Sequence, residues 1–253
     1  MSLSSIGSSL APHGVLRVGI NLSNFLLVSK GPHLTPDAPS YAPSYEGVVP
    51  DLAHRLAQHL SLPLELVPYK NPALLTADAD ADRYDVACLG AEPQRAEVIC
   101  FTQPYCEIQA TFLVPPGSPL KEVEDVDAPG VDVCVSRGAA YCLWLESNLG
   151  KATLHRTDEP GLSGSLNKYL AKEHGALAGL RPWLLDQAVN LPGHTVLPGS
   201  FMSVQQSFGV PRSRADGGAT MFLERWIGEL KEGGVVQDSI ELHGIAGKLS
   251  VVK

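Results

Sequence analysis

The chain reads as an α/β protein built largely on parallel strands, and three observations lead there. Short apolar runs such as Tyr84 to Leu89, opened by Asp85 and closed by Gly90, have the length of buried strands rather than helices. Stripes at helical spacing alternate with them, for example Leu52, Ala53, Leu56, Ala57 and Leu60. The links between these elements are short, as successive strand and helix units require. With 253 residues, 44% of them hydrophobic, the chain can bury a sizeable core in one large domain or two small ones.

The first fourteen residues, MSLSSIGSSLAPHG, are small and polar, with neither a basic start nor an apolar block, so no export signal is legible in them. Leu16 to Ile20 forms the first expected strand, and Asn21 to Phe25 is the loop at its carboxyl end. Lys30 to Tyr45, rich in proline and serine, is read as a surface excursion. A helix starts near Pro50, which suits a first turn, and carries the apolar stripe above. Leu64 to Pro68 is a second strand and Asn71 to Ala79 a short helix.

Tyr84 to Ser118 organises the rest. In open α/β sheets ligands sit beyond the carboxyl ends of strands, and Gly90-Ala91-Glu92-Pro93-Gln94-Arg95 fills that place. Gly90 permits close approach to the backbone, and Pro93 suits the first turn of a short helix. Arg95 offers a planar fork to a carboxylate or similar oxyanion, a geometry that lysine does not reproduce. Phe101-Thr102-Gln103-Pro104-Tyr105 then leads into a strand over Ile108 to Val114, closed by Pro115-Pro116-Gly117-Ser118.

Downstream, Leu120 to Val126 is expected to be a short helix and Val131 to Val135 a strand. At its end Ser136-Arg137-Gly138-Ala139-Ala140-Tyr141 reads as a glycine loop opening a helix, with free backbone N–H groups ready for an anion. Ala152 to Arg156 is a strand, Gly161 to Lys172 a helix, and Gly175 to Gly179 a buried strand followed by Leu180 and Arg181. Thr195 to Leu197 is a strand, and Pro198 to Gln206 crosses back, with Phe201, Met202 and Gln205 near the crossing. Ala219 to Leu230 carries Leu223, Trp226, Ile227 and Leu230 on one face, and Val235 to Leu242 is the last helix.

Several function classes are excluded on composition and spacing. A net charge of -8 without a basic stripe argues against nucleic acid as a partner, and no apolar run has the length of a membrane span. The five cysteines, at 88, 100, 106, 134 and 142, lack metal spacing; Cys88 and Cys134 read as buried small hydrophobes, and a reduced interior is expected, with a Cys100–Cys106 pair as the oxidising alternative. The histidines are scattered without ligand spacing, and no catalytic triad or phosphate loop is present, so neither cofactor nor metal is expected.

An aspartate-led strand, a glycine loop, an arginine, then F-T-x-P-Y and a strand closed by a proline and glycine turn form a pattern. In that order they resemble the periplasmic solute-binding proteins of family 3, the polar amino-acid binding type. The resemblance runs from about Leu16 to about His243. It implies a type II periplasmic-binding-protein fold: one lobe from residues 1–115 plus 199–253, a second from 116–198, and two crossing strands. The lobes are expected to close on a small ligand delivered to the membrane permease of an ABC transporter, with the protein a periplasmic monomer. The missing export signal leaves a cytoplasmic location as the alternative.

By the same resemblance Arg95, with Gly90 and Glu92, is the anionic anchor of the first lobe, Asn24 and Phe25 lie in the loop that covers the ligand, and Gly138, Ala139, Ala140 and Tyr141 hold its carboxylate from the second lobe. Arg181 and Gln205 complete the expected ligand-binding set. The chain departs from the family in three places. Val48 and Val49 stand where an aromatic is usual, Glu92 where a threonine is usual, and Leu180 where an aspartate usually meets an ammonium. A buried ammonium without a counter-charge costs several kcal/mol, so a carboxylate-bearing solute without an α-ammonium is expected, although Glu92 offers a counter-charge from another direction. Cyclohexadienyl dehydratases share the fold, and Glu92 is the candidate general acid should the chain be such an enzyme.

Overall fold

The computed structural model describes residues 2–30, 45–158, 160–172, 175–215 and 217–252. In chain order its elements begin with α1 (Leu3–Leu10), β1 (Leu16–Asn21), β2 (Ser29–Lys30), β3 (Tyr45–Glu46), α2 (Val48–Leu60), β4 (Leu64–Tyr69) and α3 (Pro72–Ala77). Next come β5 (Val86–Gly90), α4 (Pro93–Ala96), β6 (Ile99–Phe101), β7 (Cys106–Val114), β8 (Asp132–Val135), α5 (Ala140–Asn148) and β9 (Thr153–Arg156). The remainder is α6 (Leu162–Lys172), β10 (Ala176–Leu180), α7 (Arg181–Ala188), β11 (Thr195–Val196), β12 (Met202–Pro211), α8 (Gly217–Glu232), α9 (Val235–Leu242) and β13 (Ser250–Val251). Most of the surface excursion expected from Lys30 to Tyr45, and His174, lie outside the described residues.

The chain divides into two compact units. The first is Met1–Cys106, Gln206–Gly247 and Val251–Lys253, and the second is Glu107–Gln205 and Lys248–Ser250. The sequence placed the divisions at 115/116 and 198/199, in the turns. They fall instead inside β7 and β12, each of which pairs with different partners along its length. Thus β12 bonds to β5 from Gln206 to Gly209, within the first unit, and β7 bonds to β10 from Ala110 to Leu113, within the second.

In the first unit the strands run β4-β1-β5-β12, with β6 on β12. β1 is parallel to β4 (Leu16 opposite Leu64) and to β5 (Val18 opposite Val86), so Tyr69, Asn21 and Gly90 end their strands on one edge. Leu16, Val18 and Ile20 of β1 are buried, and so is all of β5, which is why the sequence of β5 is continuous apolar rather than alternating. The face of α2 bearing Leu52, Leu56 and Leu60 is buried, as are Leu223, Trp226 and Ile227 of α8. At the amino end of β5, Asp85 is fully buried. It accepts from the backbone N–H of Arg17 at 2.8 Å, from Arg17 Nη2 at 2.7 Å and from Arg214 Nη1 at 2.9 Å. The aspartate that opens the strand is therefore the buried hub of an ion network, satisfied on several sides as a buried carboxylate must be.

The second unit orders its strands β7-β10-β8-β9. β10, β8 and β9 are parallel, with Ala176 opposite Val133 and Asp132 opposite Thr153, while β7 runs antiparallel to β10. Val135, Arg156 and Leu180 thus end on one edge. Phe112, Leu177, Tyr169 and Leu184 fill its core.

Two local expectations differ from the structure. The opening stretch was read only as small and polar, yet it forms α1: Ser2 caps it by accepting from the N–H of Ser5 at 3.2 Å, and Ile6 and Leu10 are buried at helical spacing. Leu120 to Val126 is reduced to a single 3-10 turn, Val123–Val126, because Asp125 accepts from the N–H groups of Lys121 and Glu122 in a capping box that makes Glu122 the start of the turn.

Candidate functional site

On the first unit the chain leaves β5 at Gly90 and enters the short helix α4 with Glu92 as its cap and Pro93 in the first turn. The turn folds Arg95 back on the strand end. Its Nη1 donates to the Gly90 carbonyl at 2.9 Å and to Glu92 Oε2 at 2.5 Å. Arg95 is 3% exposed and Glu92 6% exposed. A charge-assisted bond this short in so dry a place is strong, but desolvation opposes both charges. Burial pushes the Glu92 carboxyl above its ordinary range, the neighbouring Arg95 offsetting only part of the effect, and burial likewise lowers Arg95.

Gly90 is required for this arrangement. A Cβ there would lie 2.8 Å from Glu92 Oε1, 2.9 Å from Oε2 and 3.1 Å from Arg95 Nη1. What approaches the Gly90 backbone is thus the chain's own ion pair, where the sequence suggested a bound group. The fork expected at Arg95 is on the carboxyl edge of the sheet as anticipated, but a resident carboxylate already takes one of its nitrogens.

The loop after β1 is held by its own turn: Leu27 and Val28 donate their N–H groups to the Asn24 carbonyl, each at 3.0 Å. The Asn24 side chain is buried, and its Oδ1 has no partner among the described residues, which marks an unsatisfied acceptor in this loop. Phe25 beside it is 37% exposed.

On the second unit Gly138 takes a φ of +70°, a left-handed turn that only glycine adopts without strain, and Ala139 caps α5. Cys142 and Leu143 donate to the Ala139 carbonyl at 3.0 and 3.1 Å; the N–H groups of Ala140 and Tyr141, in the first turn, have no acceptor inside the helix. The Tyr141 ring is buried, 3% exposed, and the N–H groups of Arg137 and Ala139, expected to be free, are taken by Thr157 Oγ1 at 3.0 Å and the Ser136 carbonyl at 3.3 Å. Arg137 is turned onto Thr157, with its N–H on Thr157 Oγ1 at 3.0 Å and its Nε on the Thr157 carbonyl at 2.9 Å. At the end of β10, Leu180 is buried and apolar, and Arg181 donates Nη2 to the Leu197 carbonyl at 3.0 Å, its Nε buried without a partner among the described residues. Gln205 donates to Glu107 Oε2 at 2.6 Å and leaves its own Oε1 buried without a partner among the described residues.

Thr157 and Glu107 were not singled out from the sequence. Thr157 follows β9 with no motif to mark it, whereas Glu107 was detectable as the one acid in the run CEIQATFLV. All five cysteines are free thiols in this structure, and among the described residues no group of side chains could hold a metal ion. No helix of the described residues is long and apolar enough to cross a membrane.

The comparisons with known proteins agree with this architecture. The substrate-binding protein of an amino acid ABC transporter from Streptococcus pneumoniae, solved with L-arginine, superposes with a TM-score of 0.71 at 18% identity, covering 98% of this chain and 99% of that one. An ancestral amino acid-binding protein described as a precursor of cyclohexadienyl dehydratase gives 0.70 at 20% identity, covering 93% and 98%. At these identities the likeness is one of fold, that of the two-lobed periplasmic binding proteins. The cyclohexadienyl dehydratase of Pseudomonas aeruginosa is 32% identical over 114 residues; the match spans 44% of this chain and 42% of the length of that enzyme. Residues 37–234 match bacterial extracellular solute-binding proteins, family 3. The chain belongs to that family.

Proposed function

We propose that this protein binds a small carboxylate-bearing solute and presents it to the permease of an ABC-type uptake system, working as a monomer outside the cytoplasmic membrane. Membership of a solute-binding family supports the general activity. The observation that supports the finer reading is the Arg95 guanidinium, buried at the carboxyl end of β5, where open α/β sheets place their ligands. A buried arginine fork recognises a carboxylate through parallel, charge-assisted bonds. Similar folds were solved with arginine and with lysine, both of which carry a carboxylate.

Thermal melting against a panel of amino acids, other carboxylic acids and neutral polar solutes tests this reading, because a ligand that binds only the native state raises the melting temperature by mass action. The expected result is stabilisation by carboxylates that is abolished in Arg95→Ala. Stabilisation by neutral solutes alone would sink it.

A dehydratase is the second reading, and one observation favours it: burial raises the pKa of Glu92, the direction a general acid needs. The 32% identical stretch of cyclohexadienyl dehydratase is consistent with it. Incubation with prephenate or arogenate, with steady formation of phenyl-ring products that Glu92→Gln abolishes, would establish the enzyme; no turnover removes it.

A further inference from the structure

We infer that the second unit carries a further site, a cavity walled by Phe112, Phe201 and Trp144 and rimmed by Glu124 and Asp127, which binds a small organic cation of the alkylated-ammonium class. The inference stands apart from the carboxylate reading above.

The cavity has a volume of about 260 Å³. An apolar void of roughly 150 Å³ holds one benzene, so this space admits a molecule of about ten non-hydrogen atoms. Its walls come from the turn Val123–Val126 and Asp127, from the carboxyl-terminal half of α5, and from Ser200 and Phe201 ahead of β12, with Phe112 of β7 between them. The turn leads into the amino end of β8, and the residues after α5 lead into the amino end of β9. Neither the loop at Gly138 nor Leu180 and Arg181 lines it, so it is a different place from the carboxyl edge of the same sheet.

Its chemistry is an aromatic wall beside an acidic rim. Phe112 is buried, the Phe201 ring lies 4.5 Å from it between centroids at a tilt of 31°, and Trp144 follows 5.3 Å from Phe201 at 36°. Phe201 and Trp144 are only partly buried, which leaves ring surface accessible. The face of an aromatic ring attracts a cation, and tryptophan does so best. Asp127 Oδ1 accepts from the N–H groups of Ala152, Lys151 and Gly150 at 3.0, 2.7 and 3.1 Å, and these bonds hold the carboxyl below its usual range, so the charge is fixed in place. Glu124 is exposed on the turn and brings the second carboxylate. Among the described residues no lysine or arginine lines the cavity. Lys121, three residues before Glu124, donates its ammonium to the Ser118 carbonyl at 2.8 Å, while Lys151 meets Asp127 through its backbone. Two negative charges beside apolar ring faces repel an anion and give a neutral solute no use for the carboxylates. An ammonium clothed in alkyl groups uses both features, and sheds water more readily than the strongly hydrated head of a lysine.

Titration of the full chain with benzyltrimethylammonium, with choline and with the neutral isostere of choline, 3,3-dimethylbutan-1-ol, decides it, followed through the indole N–H signals in heteronuclear NMR. The three tryptophans give three signals; Trp144→Phe identifies the one at the cavity, and the buried Trp183 and Trp226 serve as internal controls. Benzyltrimethylammonium should move the Trp144 signal alone, saturating with a Kd of about 0.1 mM or tighter. Choline should bind about tenfold more tightly than its isostere. Glu124→Gln should weaken both cations by about two- to fivefold, an effect that fades with added salt, and Trp144→Leu by about tenfold or more. An isostere that binds as tightly as choline overturns the inference on the wild type alone, so a Trp144→Leu protein that fails to fold does not protect it. The inference also falls if the Trp144 signal does not move, if the cations move Trp183 or Trp226 instead, or if their affinity survives both Glu124→Gln and Trp144→Leu. None of the probes carries a carboxylate, so each of these outcomes leaves the reading of the first unit untouched.

Discussion

The carboxyl edges of the two units are built alike from parallel strands, yet they carry opposite chemistry. On the first unit the strand end at Gly90 is crowded with charge that has been withdrawn from water and paired: Arg95 with Glu92, over a glycine that makes room for both. On the second unit Val135 and Leu180 close β8 and β10 with apolar side chains, and Arg156, which closes β9, is half exposed and bonded to Glu146 at 2.7 Å. In the loop at Gly138 the N–H groups of Arg137 and Ala139 are taken by Thr157 Oγ1 and the Ser136 carbonyl, and the two nearby arginines are turned onto carbonyls of their own unit, Arg137 onto Thr157 and Arg181 onto Leu197. The difference teaches where each edge keeps its charge: the first withdraws an arginine and a glutamate from water and pairs them, which a low-dielectric place makes steep, and the second leaves its arginines on carbonyls or near solvent.

The largest effect that would break this contrast is expected from Arg95→Ala. Removing one partner of a buried pair leaves Glu92 without that guanidinium and costs about 3–5 kcal/mol of stability, along with most carboxylate affinity. Urea denaturation and calorimetry measure the two losses; a variant as stable and as tight as the wild type would show that the first edge does not work through charge. Replacing both partners, Glu92→Gln with Arg95→Met, should return the stability to within about 1–2 kcal/mol of the wild type while binding stays lost. That outcome separates recognition from folding, and a double variant no more stable than Arg95→Ala would give the pair a structural role.

Gly90→Ala sharpens the comparison without altering any charge. The added methyl would have to displace the carboxylate and the guanidinium, and a cost of about 1–3 kcal/mol with weakened binding is expected, read by the same two measurements. Gly138→Ala on the other unit should cost less, about 1–2 kcal/mol, because it strains one left-handed residue and leaves the helix N–H groups in place. The smallest effect is assigned to Arg181→Met, at about 1 kcal/mol of stability for a partly buried bond to a carbonyl, with unchanged affinity. A tenfold loss of affinity there would show that the second edge also brings charge.

How much was legible beforehand follows from the kind of residue involved. The apolar run Tyr84 to Leu89 and the stripe from Leu52 to Leu60 announce a buried strand and a one-sided helix, because period and length alone distinguish them. The same logic placed Gly90, Glu92 and Arg95 at the carboxyl end of that strand. What could not be read was that Glu92 and Arg95 bond to each other rather than wait for a guest, since two oppositely charged residues three apart on a short helix are equally at home in solvent. Likewise Arg137 and Arg181 look from their positions like ligand contacts, and only the fold reveals the carbonyls that claim them.

The amino-acid order therefore determined the alternation of strands and helices, the glycines at the two loops and the types of charge beside them, because these depend on local period and backbone freedom. The tertiary structure decided which charges meet. It folded α1 from a stretch that reads as plain polar chain, and it set the division between the units inside β7 and β12 rather than at the turns. Both outcomes, like the pairing of Glu92 with Arg95, depend on burial, and burial is a property of the packed molecule that no single stretch of sequence contains.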